Sequence, residues 1–203
     1  MPPTILVVLG HPDSGSFNHA IARVVCHALQ SQGWRVVFHD LYAEGFDPLL
    51  PSAEIAEHGP VPDDVRRHCR ELAEADGIVI IHPNWWGQPP AILKGWIDRV
   101  FRPGLAYRFE EGDGGEGVPM GLLKAKAALI FNTSNTPDPR EQAVFGDPLE
   151  ALWKRCILDL CGVKNVRRRM FSVVCTSTPA QRENWLHEVN QMTVELFANP
   201  ENG

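Results

Sequence analysis

Short apolar runs alternate along the chain with stretches in which apolar residues recur at helical spacing. Runs of the first kind suit strands buried on both faces, and stretches of the second kind suit helices laid over them. The pattern therefore predicts a parallel sheet covered on both sides. The first strand is read at Ile5 to Leu9. The helix after it puts Phe17, Ile21, Val24, Val25, Ala28 and Leu29 on one face, and Gln32-Gly33 ends it. The second strand spans about Arg35 to His39. Prolines between Asp47 and Pro62 mark a surface loop, and Asp63 suits the N-cap of a helix with Val65, Cys69, Leu72 and Ala73 inward. The third strand, Gly77 to His82, is the most continuous β-branched run, which places it at the sheet centre. The helix that follows carries Ile92, Leu93, Trp96, Ile97, Val100 and Phe101.

Residues 103–124 form a glycine-rich excursion (Gly112, Gly114, Gly115, Gly117) of a length that is usually functional or mobile. The fourth strand is about Lys126 to Asn132. Asp147-Pro148 reads as an N-cap and N1 pair opening a helix with Leu149, Leu152, Trp153, Cys156, Ile157 and Leu160 on one face. Gly162 stops it. The fifth strand is about Arg169 to Val174, and Thr178-Pro179-Ala180-Gln181 is a capping box before the last helix. Five strands and five helices in alternation imply an α/β doubly wound sheet, order 2-1-3-4-5, with helices on both faces. At 203 residues, one domain over 1–203 is expected. Ligands of such sheets sit beyond the carboxyl ends of the strands, so the segments after strands one, three and four are where chemistry is expected.

A net charge of -6 argues against a nucleic-acid binder, and the cluster Arg167, Arg168, Arg169 is read as a solvated edge or an oligomer contact. The cysteines (Cys26, Cys69, Cys156, Cys161, Cys175) are odd in number and lack C-x-x-C spacing. Four lie in apolar or strand-like context, which predicts buried reduced thiols in a cytoplasmic protein. No apolar run approaches the length of a membrane span, and no signal peptide or transmembrane segment is expected. The histidines His19, His27, His39, His58, His68, His82 and His187 show no metal-ligand spacing. His82, at a strand end before Pro83, is read as a structural histidine.

The segment Gly10-His11-Pro12-Asp13-Ser14-Gly15-Ser16-Phe17-Asn18 joins the first strand to its helix. Free N–H groups at a helix start favour an anion there, and Ser14, Ser16 and Asn18 add neutral donors. The segment lacks both G-x-G-x-x-G and G-x-x-x-x-G-K-[ST], so neither a Rossmann dinucleotide site nor an NTPase site is expected. It fits a monophosphate or pyrophosphate that is bound and not hydrolysed, or an ordinary capped turn. After the third strand comes His82-Pro83-Asn84-Trp85-Trp86-Gly87-Gln88. Two adjacent indoles in a loop suit a wall for a flat heteroaromatic ring, or a hydrophobic dimer patch. Asn132-Thr133-Ser134-Asn135 follows the fourth strand, and its small polar residues admit a ligand edge.

The stretch Pro90-Ala91-Ile92-Leu93-Lys94-Gly95-Trp96-Ile97-Asp98-Arg99-Val100-Phe101 resembles the P-A-[IL]-[LM]-K-x-W-[IFL]-[DE]-[RK]-V-[FL] stretch of the NAD(P)H:quinone oxidoreductases, a flavodoxin-like family. Ser16-Phe17-Asn18 is similar to their flavin phosphate loop, and Gly104 with Ala106-Tyr107 to their active-site aromatic pair. The resemblance runs over about residues 4–175. It implies that His11, Ser16, Phe17 and Asn18 hold the flavin phosphate and ribityl chain. It further implies that Pro83, Asn84, Trp85 and Trp86 cup the ring, and that Thr133, Ser134 and Asn135 border its polar edge. Tyr107 and Trp86 are the catalytic candidates. Tyr107, with Phe109 as a second aromatic, would face the ring of a partner subunit in a homodimer. The implied reaction passes a hydride from NADH or NADPH through bound FMN, with FAD as the alternative, to a quinone or similar small electron acceptor. FMN is favoured because the chain lacks the C-terminal extension of the longer FAD-binding members.

Two departures stand out. The family's histidine before Gly-Asp is Phe145 here, and its nearby tyrosine is missing from Pro137-Asp138-Pro139-Arg140. Gly87 also replaces a bulky aromatic, which predicts a roomier pocket. The competing readings are a regulatory flavin-binding ancillary subunit of a membrane transporter and a one-electron carrier. The carrier reading is disfavoured by the Pro90–Phe101 stretch.

Overall fold

A computed structural model of the chain describes residues 3–56, 59–110, 112 and 116–198. His58, Gly114 and Gly115 lie outside the described residues. Five parallel strands form the main sheet: β1 (Thr4–Leu9), β2 (Arg35–Asp40), β3 (Gly77–Pro83), β6 (Ala127–Ser134) and β7 (Asn165–Ser172). Their order is β2-β1-β3-β6-β7, the order expected from alternation. Between β3 and β6 a two-stranded antiparallel ribbon, β4 (Tyr107–Arg108) with β5 (Met120–Gly121), interrupts the predicted loop. Neither strand has the length or alternation that would announce it.

The helices are α1 (Phe17–Ser31), α2 (Asp63–Glu74), α3 (Ala91–Val100), α4 (Asp138–Arg140), α5 (Pro148–Ala151) and α6 (Pro179–Leu196). Wider π-helical turns extend α4 through Glu141–Phe145 and α5 through Leu152–Asp159. Central strands β1, β3 and β6 are buried along their whole length, because α1 and α6 cover one face and α2, α3 and the α5 segment cover the other. Ile5, Val7 and Leu9 face the α1/α6 side, whereas Leu6, Val8, Ile78 and Ile80 face α3.

All six apolar residues predicted for the helix after β3 are buried. Gly95 within it is required by packing. A β-carbon there would lie 2.2 Å from the Pro48 carbonyl oxygen, so the loop after β2 crosses directly over the helix backbone. Two further contacts fasten that crossing. Arg99 meets Glu54 through two hydrogen bonds at 3.1 and 2.6 Å, and Arg102 donates to the Glu54 carbonyl at 2.7 Å.

Four readings are corrected. β7 begins at Asn165, because this edge strand carries Arg167 and Arg169 toward α6, where they pair with Glu195 and Glu188, and so lacks a continuous apolar run. Arg168 is neither solvated nor an oligomer contact: its side chain is buried against Asp147, Glu150 and Asn132. Asp147 is not a side-chain N-cap. It sits at φ 46°, makes no capping bond, and instead accepts from Arg168 and from Gln142 Nε2. The thiols also divide: Cys69 and Cys161 are buried, Cys26 half-buried, and Cys156 and Cys175 exposed. No helix among the described residues is long and apolar enough to cross a membrane.

Candidate functional site

A cleft of about 450 Å³ opens at the carboxyl edge of the sheet. Its walls come from the segments after β1, β3 and β6, as the winding rule requires, and also from the segment after β7. His11, Ser16, Phe17, Asn18, Pro83, Asn84, Trp85, Thr133, Ser134 and Asn135 all line it. Asp13, Thr136, Val174 and Cys175 join them, although the sequence reading did not place them there. The fifth strand ends at the same edge, so the signal for Val174 and Cys175 was present in the topology. A larger hollow of about 570 Å³ lies between α1 and α6, but its charged lining (Arg23, Glu183, His187) is exposed and no strand end reaches it.

Local chemistry explains the first wall. Asp13 Oδ1 accepts the Gly15 N–H at 2.8 Å, and the Ser16 N–H reaches the Asp13 carbonyl at 3.0 Å, which folds the chain tightly before α1. Ser16 is the N-cap, its Oγ accepting from the His19 N–H at 3.3 Å. The Phe17 ring packs on Phe171 and Trp185 and anchors the helix start. Asn18 is buried, and its Nδ2 donates to Thr133 Oγ1 at 2.9 Å, which ties the first wall to the third. Its Oδ1 has no partner. A buried amide with one unpaired end, at a helix start, suits a polar ligand group.

The second wall is a two-residue turn. Trp85 and Gln88 exchange backbone hydrogen bonds at 3.1 and 3.0 Å, with Trp86 at φ 58° and Gly87 at φ 72°. Gly87 meets the turn's need for a left-handed residue, and a β-carbon there would also strike Pro148 at 2.7 Å. Trp86 meets it at a steric cost. The two indoles part company: Trp85 lines the cleft, whereas Trp86 is fully exposed and lines a second cavity of about 540 Å³. Gln88, Glu141, Phe145 and Pro148 complete that cavity, and Asn84 and Thr136 border both. Asn84 is the hinge pin between them. Its N–H donates to the Thr133 carbonyl at 2.6 Å, its Oδ1 accepts from Gly87 at 2.9 Å, and its Nδ2 donates to Glu141 at 3.1 Å.

Behind the cleft, His82 Nε2 faces donors from Trp153 and Asn132, each at 2.9 Å, so its proton sits on Nδ1 and is given to the Pro83 carbonyl at 2.8 Å. Burial pushes its pKa down to about 4. It is a structural histidine, as expected. Burial also lowers the pKa of His11, whose Nδ1 accepts from the Asp13 N–H at 3.1 Å. Tyr107 and Phe109 line neither cavity. They pack edge to face on the ribbon with ring centroids 5.9 Å apart.

Among the described residues His39, Glu44 and His68 bring possible metal ligands within 4.8 Å of one another. These side chains already pair with one another and with Trp96 and Glu71. Trp96 donates to His68 Nδ1 at 3.1 Å, which puts the His68 proton on Nε2, facing Glu44 at 3.2 Å. His39 places its two nitrogens 2.8 Å from Glu44 and from Glu71. Burial alone would raise the Glu44 pKa, but hydrogen bonds from His39 and His68 outweigh it and hold the carboxyl at about 2. The cluster is a clasp between the loop after β2 and α2.

A family profile described as a flavodoxin-like fold matches residues 3–193. A protein named uncharacterized NAD(P)H oxidoreductase from Haemophilus influenzae is 35% identical over 175 residues, which is 82% of either chain. The ribosyldihydronicotinamide dehydrogenase [quinone] of Rattus norvegicus is 32% identical over 183 residues, covering 79% of this chain and 77% of its own. Among solved structures, the Smu.1420 protein of Streptococcus mutans UA159 superposes with a TM-score of 0.81 at 32% identity, over 95% of this chain and 100% of that one.

Proposed function

The chain belongs to the flavodoxin-like fold family, matched over residues 3–193, and from that membership we propose that it is a flavin-dependent NAD(P)H oxidoreductase. The observation that carries the reading is the cleft itself. Its lining offers neutral donors at a helix start, the Trp85 indole, and the small polar residues Thr133, Ser134 and Asn135. That set of chemistries matches an anion, a flat ring and a polar ring edge. The unpartnered Oδ1 of buried Asn18 is an acceptor and would take a hydroxyl of the ribityl chain.

FMN is the proposed cofactor, with NADH or NADPH as hydride donor and a quinone or similar small molecule as acceptor. Ser16, Asn18 and the first N–H groups of α1 would hold the phosphate, and His11 would border it. Trp85 would cover the ring, with Pro83 and Asn84 along its edge. A bound flavin supplies the two-electron chemistry, while the protein positions it and excludes water. Because His82 Nδ1–H donates to the Pro83 carbonyl, that peptide beside the cleft keeps one orientation.

The second cavity, walled by Trp86 and Phe145, is apolar on one side and suits the acceptor. Tyr107, on the ribbon, would serve the cleft of a second copy in a homodimer. The protein would work in the cytoplasm. The test is anaerobic mixing of flavin-loaded protein with NADH or NADPH. Bleaching of the flavin absorbance, reversed by a quinone, is expected; an absorbance unchanged by both nicotinamides contradicts the proposal.

A further inference from the structure

Ser16, His19 and Asp40 form a relay that runs from the cleft into the protein. Ser16 Oγ lies 2.9 Å from His19 Nδ1, and His19 Nε2 lies 2.9 Å from Asp40 Oδ2. Asp40 ends β2, and its other oxygen accepts the N–H groups of Tyr42 and Ala43 at 3.2 and 3.1 Å. The carboxylate is thereby fixed as an acceptor, and His19 Nε2 carries a proton toward it. His19 is itself buried.

The Ser16 hydroxyl has one proton to give. One of its lone pairs already receives the His19 N–H. With His19 neutral and its proton on Nε2, Nδ1 is an acceptor and claims the Ser16 proton, so only a lone pair of Ser16 is left for the cleft. An anion in the cleft would meet that lone pair and be repelled. If His19 instead gains a proton on Nδ1, it donates to Ser16, and the Ser16 proton turns toward the anion. Each arrangement respects the hydroxyl's capacity of one donor and two acceptors.

We propose that the relay makes anion binding at the start of α1 proton-coupled: a phosphate seated there takes the Ser16 hydrogen bond together with one proton captured by His19 and balanced by Asp40. The inference rests on the flavin reading and adds to it how the phosphate is charged for. The loop from Gly10 to Asn18 has no Lys or Arg, and His19 is the ionisable side chain within hydrogen-bond distance of Ser16 Oγ. The other ionisable groups around the site are His11, whose ring centroid is 6.3 Å from that of His19, Asp13 in the same loop, and Arg182 and Glu183 of α6, which line a hollow with Gly15 and Ser16. Arg23, one turn along α1, is exposed, and the Pro83–Gln88 segment brings no ionisable side chain. The Ser–His–Asp order resembles a nucleophile relay, but Ser16 is occupied as the N-cap and serves as a donor.

The test is calorimetric titration of the purified chain, dialysed free of flavin, with FMN and with riboflavin. It is run above about pH 7, where a phosphate monoester is already a dianion, in buffers of different ionisation heat. FMN is expected to bind with uptake of up to about one proton, and its Kd to rise by up to about tenfold per pH unit as pH increases. Riboflavin, lacking the phosphate, binds without uptake. His19→Phe removes the uptake. Asp40→Asn also removes it and still offers an oxygen to Tyr42 and Ala43, so a folding defect is not confused with the effect. FMN binding without proton uptake in the unmodified chain overturns the proposal, as does uptake that survives His19→Phe, which would assign it to His11 or to the phosphate. Failure of FMN and riboflavin alike to bind overturns the flavin reading and this inference with it.

Discussion

The indole N–H of Trp153 meets Nε2 of His82 at 2.9 Å, and this contact between the α5 segment and β3 decides which carbonyl the histidine holds. Both residues are fully buried. Protonating Nε2 would set a donor against a donor, so His82 stays neutral in the fold.

A pH dependence follows. The folded pKa of His82, about 4, is below the ordinary histidine value of 6.5, so the unfolded chain binds the extra proton first. Stability is unaffected above about pH 6.5 and falls by up to about 1.4 kcal/mol per pH unit as pH drops toward 4. Glu44 acts in a separate window. Its lowered pKa gives stability that is complete above about pH 4.5 and is lost as pH falls toward 2. Urea unfolding between pH 7 and pH 4.5 should show the first decline, and His82→Gln should flatten it. An equal slope in the variant would contradict the assignment.

Arg168 and Arg167 are neighbours with opposite fates. Arg168 is buried among Asp147, Glu150 and Asn132, whereas the Arg167 pair with Glu195 spans 3.5 Å in solvent. Arg168→Ala strands a buried carboxylate and is expected to cost about 3–5 kcal/mol. Arg167→Ala should change stability by no more than about 0.5 kcal/mol. Denaturant midpoints compare the two, and similar losses would refute the network.

Trp86 holds an exposed indole on a left-handed backbone. Trp86→Gly removes the steric cost and is expected to raise stability by about 1 kcal/mol. If the indole walls the acceptor cavity, the same change raises KM for an apolar quinone by about tenfold while leaving the rate of reduction by NAD(P)H unchanged, since one buried aromatic contact is worth about that much. A quinone KM equal to that of the unmodified protein would remove Trp86 from the acceptor site.

Gly95→Ala should be destabilising by about 1–3 kcal/mol even though alanine is the better helix former. The added methyl meets the backbone of Pro48 and not a movable side chain. A thermal midpoint equal to or above that of the unmodified chain would show that the loop over α3 yields freely.

Much of the fold was legible because the central strands are buried on both faces and therefore announce themselves as unbroken apolar runs. The edge was not. β7 is half polar, and its start was missed because Arg168 looks like a surface residue until Asp147 is brought beside it by folding. The cleft residues could be found from strand ends, since topology alone gathers them. Their connections could not: Asn18 with Thr133 and Ser16 with His19 and Asp40 depend on side-chain directions that spacing does not encode. Tyr107 remains the residue whose proposed role needs a second copy of the chain.

The central claim is that the cleft at the carboxyl ends of β1, β3 and β6 binds a flavin phosphate. An equilibrium titration with FMN, followed by its fluorescence, tests it most directly when the unmodified chain is compared with Asn18→Leu. Saturable one-to-one quenching that is at least about tenfold weaker in the variant is the expected result, the loss of one buried hydrogen bond to the flavin's polar chain being enough for that change. No saturation up to about 1 mM FMN, or identical curves for the two proteins, would contradict the account.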